Sequence, residues 1–206
     1  MTRFYPLLFV LLWSTGFIGA RYGMPYAEPL SFLCLRYMLV ILLMGGVALA
    51  SRAPWPQTPR QFLHIGVTGL LVHGVYLGGV FVAISHGLPA GIAALVVGLQ
   101  PLLTALGAGL LLGEKVRPRQ WAGLVLGLAG VALVVSNKVA GTAGTPQLTA
   151  MLTPVLLALV GITAGTLYQK RFCPAFDLRT GSVIQFVPTL LATGLGLEQP
   201  VGVEES

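Results

Sequence analysis

Residues 61–113 read QFLHIGVTGLLVHGVYLGGVFVAISHGLPAGIAALVVGLQPLLTALGAGLLLG and hold no Asp, Glu, Lys or Arg. A helix rising about 1.5 Å per residue needs roughly 20 mostly apolar residues to cross a bilayer. These 53 residues are too many for one crossing and enough for two. The fold-back belongs at Ser85-His86-Gly87-Leu88-Pro89, where glycine and proline punctuate the apolar pattern. Two membrane helices joined by a tight turn are therefore the nucleus of the reading.

The rest of the chain extends it. Residues 4–20, 37–51, 120–137, 139–169 and 180–197 are also free of Asp, Glu, Lys and Arg. Together the intervals predict seven helices, at roughly 4–22, 30–50, 62–84, 89–112, 120–136, 150–168 and 181–197, the fifth and seventh being short for a crossing. Three prolines, Pro54, Pro56 and Pro59, forbid a continuous helix between the second and third. Composition agrees: the 206 residues are 55% hydrophobic and 9% charged, where a soluble domain carries about 25% charged residues. Such a chain cannot cover a water-soluble globule, and it is too apolar for disorder. Its 27 glycines show no three-residue period and its two cysteines make no disulfide scaffold.

The net charge of +6 points to topology before nucleic acid, because a nucleic-acid partner needs a basic patch on one face and here the charges fall between apolar runs. With the N-terminus in the cytoplasm, the inner side receives Arg3, Arg52, Arg60, Lys115, Arg117, Arg119, Lys170, Arg171 and Arg179, and the outer side Arg21 and Lys138. Nine against two satisfies the positive-inside rule and predicts Ser206 outside. Arg3 followed by an apolar run, with Ile18-Gly19-Ala20 beyond it, also fits a signal peptide, but cleavage would delete the helix on which the alternation of charge depends.

An offset of 149 residues aligns the chain with itself. Trp13-Ser14-Thr15-Gly16-Phe17-Ile18 meets Ile162-Thr163-Ala164-Gly165-Thr166-Leu167, Glu28 meets Asp177, Ser31 meets Thr180, and Arg36-Tyr37 meets Gln185-Phe186. Helices one and two thus correspond to six and seven. A unit of five helices, being odd, enters the membrane in opposite senses in successive copies, a plan common among secondary transporters. The predicted organisation is a five-helix repeat over 1–136, a flexible linker over 137–149, and a partial second repeat of two helices with a short tail over 150–206. About three helices of a complete second unit are lacking on this reading. The 206-residue chain is then expected not to transport alone as a monomer, but as a homodimer or with a complementing chain.

The stretch Gly87–Val135 resembles the EamA-type family of the drug/metabolite transporter superfamily. The resemblance is carried by Ala93-Ala94-Leu95, Gln100-Pro101-Leu102-Leu103-Thr104, Leu112-Gly113-Glu114-Lys115, Gln120-Trp121-Ala122-Gly123 and Gly127-Leu128-Ala129-Gly130-Val131. Trp13-Ser14-Thr15-Gly16-Phe17, Glu28-Pro29-Leu30 and Leu35-Arg36-Tyr37 add to it. It implies ten helices in two inverted repeats with both termini inside, from which this chain departs by ending after its seventh helix. It also implies movement of small metabolites, often amino acids or related solutes, through a central cavity by alternating access, in the inner or plasma membrane. The rival reading is a non-transporting membrane subunit or assembly partner.

The polar residues inside the spans are the candidates for substrate contact. Arg36 lies about seven residues into the second helix; it either anchors a substrate carboxylate or snorkels to the outer headgroups. His73 and Tyr76, three apart at mid-span, share one face of an α-helix, with Gly69 leaving room beside them. They either line a polar cavity, with His73 able to relay protons, or make an interhelical hydrogen bond. Pro101 frees a backbone carbonyl in the fourth helix, and Gln100 and Thr104 share a face there. The break either flexes and binds solute or is a fixed kink. Trp13, Ser14 and Phe17 offer a wall for the substrate or pack as belt residues. His64 and His73 lie on opposite faces and cannot share a metal. No phosphate loop, nucleophile elbow or zinc-protease helix is present. No enzyme, metal site or cofactor is expected.

Overall fold

The computed structural model describes residues 5–23, 26–113, 117–139, 145–173 and 175–197. Among these the regular elements are all helices: α1 (Tyr5–Gly23), α2 (Pro29–Ala50), α3 (Pro59–Ser85), α4a (Ala90–Val97), α4b (Gln100–Leu112), α5 (Pro118–Val139), α6 (Pro146–Phe172) and α7 (Leu178–Leu197). With α4a and α4b as one interrupted rod, these are the seven helices of the hydropathy pattern. Pro29–Ala50, Pro59–Ser85, Ala90–Gly109 and Pro146–Phe172 are each long and apolar enough to cross a bilayer, and the protein is an all-α integral membrane protein. Glu114, Lys115, residues 140–144 and the tail from residue 198 lie outside the described residues.

Helices α3 and α6 start earlier than hydropathy alone indicates. Thr58 and Thr145 each accept a backbone N–H, from Gln61 at 3.3 Å and from Leu148 at 3.4 Å. Each is followed by a proline in the first turn, where the missing N–H costs nothing. The expected linker shortens accordingly: α5 runs to Val139 and α6 resumes at Pro146.

The fold-back at residues 85–89 is a Schellman turn. Leu88 N–H bonds to the Ala83 carbonyl and Gly87 N–H to Ile84, both at 3.0 Å, with Gly87 at φ 97°, where glycine alone is unstrained. Arg52 adopts the same left-handed position at φ 49° after α2, with Ala53 N–H on the Ala48 carbonyl at 2.9 Å.

The buried core lies between α2, α3, α4a and α6, around Leu33, Tyr37, Phe81, Val97 and Val155. Lipid gives helices no hydrophobic reason to associate, so close backbone approach through small residues has to hold them. A Cβ on Gly161 would fall 2.7 Å from Val75 Cγ1, and one on Gly165 would fall 2.5 Å from Val72 Cγ2. A Cβ on Gly79 would overlap the Pro154 carbonyl, and one on Gly69 would overlap the backbone of Gln185. Helix α3 is thereby seated against both α6 and α7. At one end of the bundle Thr180 Oγ1 donates to the Pro54 carbonyl at 2.9 Å, joining the α2–α3 loop to the first turn of α7. At the other end Gly87 approaches Gln147 and Met151 of α6.

Candidate functional site

Two polar clusters sit within the spans. The first is built on a π-helical turn, Leu70–Val75, inside α3, where Tyr76 N–H reaches back five residues to the Leu71 carbonyl. Such turns within α-helices recur at functional sites. Here the turn carries His73. Its Nε2–H donates to Gln185 Oε1 at 3.3 Å, its ring stacks on Phe186 at 4.0 Å, and Tyr37 Oη donates to its backbone carbonyl at 2.7 Å. Helices α2, α3 and α7 are tied together at this one residue.

Two expectations change here. The π turn does not keep the three-residue register of an α-helix; His73 meets Gln185 and Phe186 of α7, and Tyr76 is buried in the core cluster that includes Phe186. The space expected beside Gly69 is filled by the backbone of α7, so the glycine serves close packing. Arg36 is half-buried in α2, within electrostatic reach of Tyr37 and His73. Among the described residues no ion pair to it is present.

The second cluster sits at the break between α4a and α4b. Gly98 and Leu99 interrupt the helix and Pro101 falls in the first turn of α4b. Leu102 N–H bonds to the Leu99 carbonyl, three residues back, at 3.1 Å, and Pro101 has no N–H to offer Val97. At this discontinuity Gln100 Nε2 donates to Thr104 Oγ1 at 3.0 Å and to Thr166 Oγ1 of α6 at 3.2 Å. Thr166 in turn donates to the Ile162 carbonyl at 2.7 Å. Gln100 and Thr104 do share a face, and α6 supplies a third member. The repeat offset, which equates Thr166 with Phe17, was the signal that could have found it. Beside this bridge, toward the α6–α7 connection, a cavity of about 630 Å³ separates α4b from α6, lined by Leu103, Gly107, Thr163, Leu167 and Tyr168 among others. Trp13, Ser14 and Phe17 belong to α1, and their side chains lie outside the described residues.

His64 stands apart from His73, facing α6. Arg60 Nε–H donates to His64 Nε2 at 3.3 Å. That bond leaves the neutral ring's proton on Nδ1, which meets Tyr168 Oη at 2.6 Å. Asp177, just before α7, accepts Arg179 N–H and Nε–H on Oδ1 at 2.9 and 3.0 Å and the guanidinium NH2 on Oδ2 at 2.6 Å. Those hydrogen bonds hold its carboxyl down at about 2 against an ordinary 3.8. The stabilisation they give is complete above the ordinary carboxylate range and is lost as pH falls through about 2. Burial pushes the Cys173 thiol up, opposed in part by the Thr68 hydroxyl, so it stays protonated at neutral pH.

Discontinuous helices with polar groups at the break recur among secondary transporters. Residues 3–136 match the EamA-like transporter family, and the chain belongs to that family. It is 30% identical over 165 residues to the "Probable amino-acid metabolite efflux pump" of Escherichia coli (strain K12), covering 80% of this chain and 52% of that protein. It is 29% identical over 188 residues to the "Uncharacterized inner membrane transporter YedA" of the same organism, covering 91% and 57%. A solved crystal structure aligns with a TM-score of 0.64 and 26% identity over 94% of this chain and 66% of that one. The chain thus spans about half the length of the curated relatives it matches.

Proposed function

We propose that the chain moves small metabolites, amino acids or related solutes, across the cell membrane by alternating access, with a site near the midplane. The observation that carries this reading is the Gln100–Thr104–Thr166 bridge at the α4a–α4b break. A polar link between two helices in hydrocarbon, at a point where proline releases backbone, is where a solute can exchange for internal hydrogen bonds. Arg36, near His73, supplies a cation for a solute carboxylate, and Trp13, Ser14, Phe17 and Tyr76 complete the proposed walls. The test is solute flux in vesicles. Arg36→Gln should abolish it at near-normal membrane levels. Normal flux in both Arg36→Lys and Arg36→Gln would assign Arg36 to the headgroups instead.

The inverted-repeat organisation belongs to the same proposal. Glu28 and Asp177, equated by the 149-residue offset, immediately precede α2 and α7. Tyr37 and Phe186, likewise equated, touch with ring centroids 5.4 Å apart. A residue meeting its own counterpart is expected at a two-fold axis. The counterparts differ where only one is covered: Thr180 and Ile184 are 0% and 8% exposed beneath α3 and its loop, while Leu35, the counterpart of Ile184, is 55% exposed. This asymmetry supports a further helix packed over α2.

The cytoplasmic placement of the N-terminus rests on the basic residues. Arg52, Arg60, Arg171 and Arg179 lie at or beside the bundle end where the α2–α3 and α6–α7 connections meet. A cysteine at position 57 should resist impermeant maleimide in intact cells and react after lysis; labelling in intact cells would invert the topology.

A further inference from the structure

The cavity between α4b and α6 has a polar end that the Gln100 bridge does not use. Toward the α6–α7 connection its wall is made by Tyr168, Arg171 and Phe172, and the rest of its described lining is apolar but for Thr163. Tyr168 and Arg171, three residues apart on α6, are neighbours on the helix surface. Thr163 Oγ1 already donates to the Leu159 carbonyl at 2.7 Å, so its one proton is spent.

Hydrogen bonds of fixed direction lead to this wall. Arg60 Nε–H donates to His64 Nε2 at 3.3 Å, which makes His64 Nδ1–H the donor to Tyr168 Oη at 2.6 Å. The Tyr168 oxygen therefore accepts, and its own O–H proton is left to donate. Among the described residues no acceptor takes that proton. The rings are held in place by Phe172, with centroids 4.9 Å from His64 and 4.6 Å from Tyr168. Arg171 brings a guanidinium that is exposed and has no ion pair or hydrogen bond among the described residues. It is the one charged side chain in the described lining.

Two unanswered donors at one end of an otherwise apolar cavity select an acceptor. An ammonium would face a guanidinium and an O–H proton, and a neutral apolar molecule would leave both donors unused. A carboxylate can take both, because guanidinium–carboxylate bonds are charge-assisted and strong. Apolar concavities with a few placed polar groups are the usual form of small-molecule sites.

We infer that this cavity receives a solute with a carboxylate and an apolar body, the carboxylate on Arg171 and the Tyr168 hydroxyl, the body among Leu103, Leu106 and Leu167. The inference rests on the solute-transporter reading and adds to it a station on the loop side of the Gln100 bridge.

The test is titration of phenylacetate into the purified full-length chain in detergent, read by calorimetry, with phenethylamine as the cationic probe and acetate as the probe without an apolar body. Saturable phenylacetate binding is expected, with phenethylamine and acetate each about ten-fold weaker or more. Arg171→Gln and Tyr168→Phe should each weaken phenylacetate about ten-fold. Arg171 is exposed and phenylalanine keeps the ring at 168, so both variants should fold, and unchanged circular dichroism would verify it. Equal affinity for phenethylamine, unaltered binding in either variant, or no saturable binding would each overturn the site. Saturable binding of dioleoylphosphatidylglycerol with none of phenylacetate would overturn it too and assign the wall to a lipid headgroup. Absent binding in a protein that still carries solute counts against this station alone. Intact binding in a protein without flux leaves the station standing and counts against transport.

Discussion

Gly69→Leu separates α7 from α3 and lowers the detergent melting temperature by roughly 5 °C or more, whereas Gly46→Leu leaves it within a degree or two of wild type. Both glycines lie inside membrane helices, and the contrast isolates packing from helix propensity. A Cβ on Gly46 meets nothing within 4 Å, while one on Gly69 enters the backbone of Gln185. A main chain cannot rotate aside as a side-chain tip can, so α7 must move as a body. Moving it breaks the His73–Gln185 hydrogen bond, the His73–Phe186 stack and the Tyr37–Phe186 contact together. Overpacking alone costs about 1–3 kcal/mol. Melting followed by tryptophan fluorescence checks the pair, and equal stability of the two variants would contradict the packing derived for α3 and α7.

Gln100→Leu is expected to lower solute flux about ten-fold or more while costing little stability. Interhelical hydrogen bonds in membranes average about 0.6 kcal/mol, so losing the one to Thr166, together with the bond to Thr104 inside α4b, removes about 1 kcal/mol. Thr166 retains its bond to the Ile162 carbonyl, and no charge is stranded. Flux should nevertheless fall about ten-fold or more, because even one lost contact in the transport step, worth about 1.4 kcal/mol, changes a rate ten-fold. Thr166→Val should follow the same direction with a smaller loss. Flux in vesicles, normalised to folded protein by size-exclusion profile, reads both. A Gln100→Leu protein that carries solute at the wild-type rate would remove the bridge from the proposed site.

The sequence made the rods and their turns legible because those are local. The uncharged interval 61–113 shows two crossings, and Gly87 stands where a left-handed residue is needed. Hydropathy misplaced the starts of α3 and α6, since Arg60, Gln61 and Gln147 dilute the apolar signal there. The Thr58-Pro59 and Thr145-Pro146 caps carried the information instead. The π turn at Leu70–Val75 has no sequence mark comparable to a proline, so the α-helical register assumed for His73 and Tyr76 could not be checked from sequence. Gly69 was misread for a related reason: absence of a side chain means room only if no neighbour takes it. The pairing of Gln100 with Thr104 was legible as a four-residue spacing, whereas Thr166, 66 residues away, could be placed only by packing α6 on α4b.

The central claim, transport through a midplane site, is tested most directly by flux of a radiolabelled amino-acid mixture into vesicles holding the purified protein, fractionated beforehand by mass. The account predicts time-dependent accumulation above empty vesicles in the fraction in which a further helix covers α2, and none where α2 is bare. A folded fraction with α2 covered that accumulates no solute would contradict transport and leave a non-transporting membrane subunit as the reading; accumulation with α2 bare would contradict the need for a covering helix.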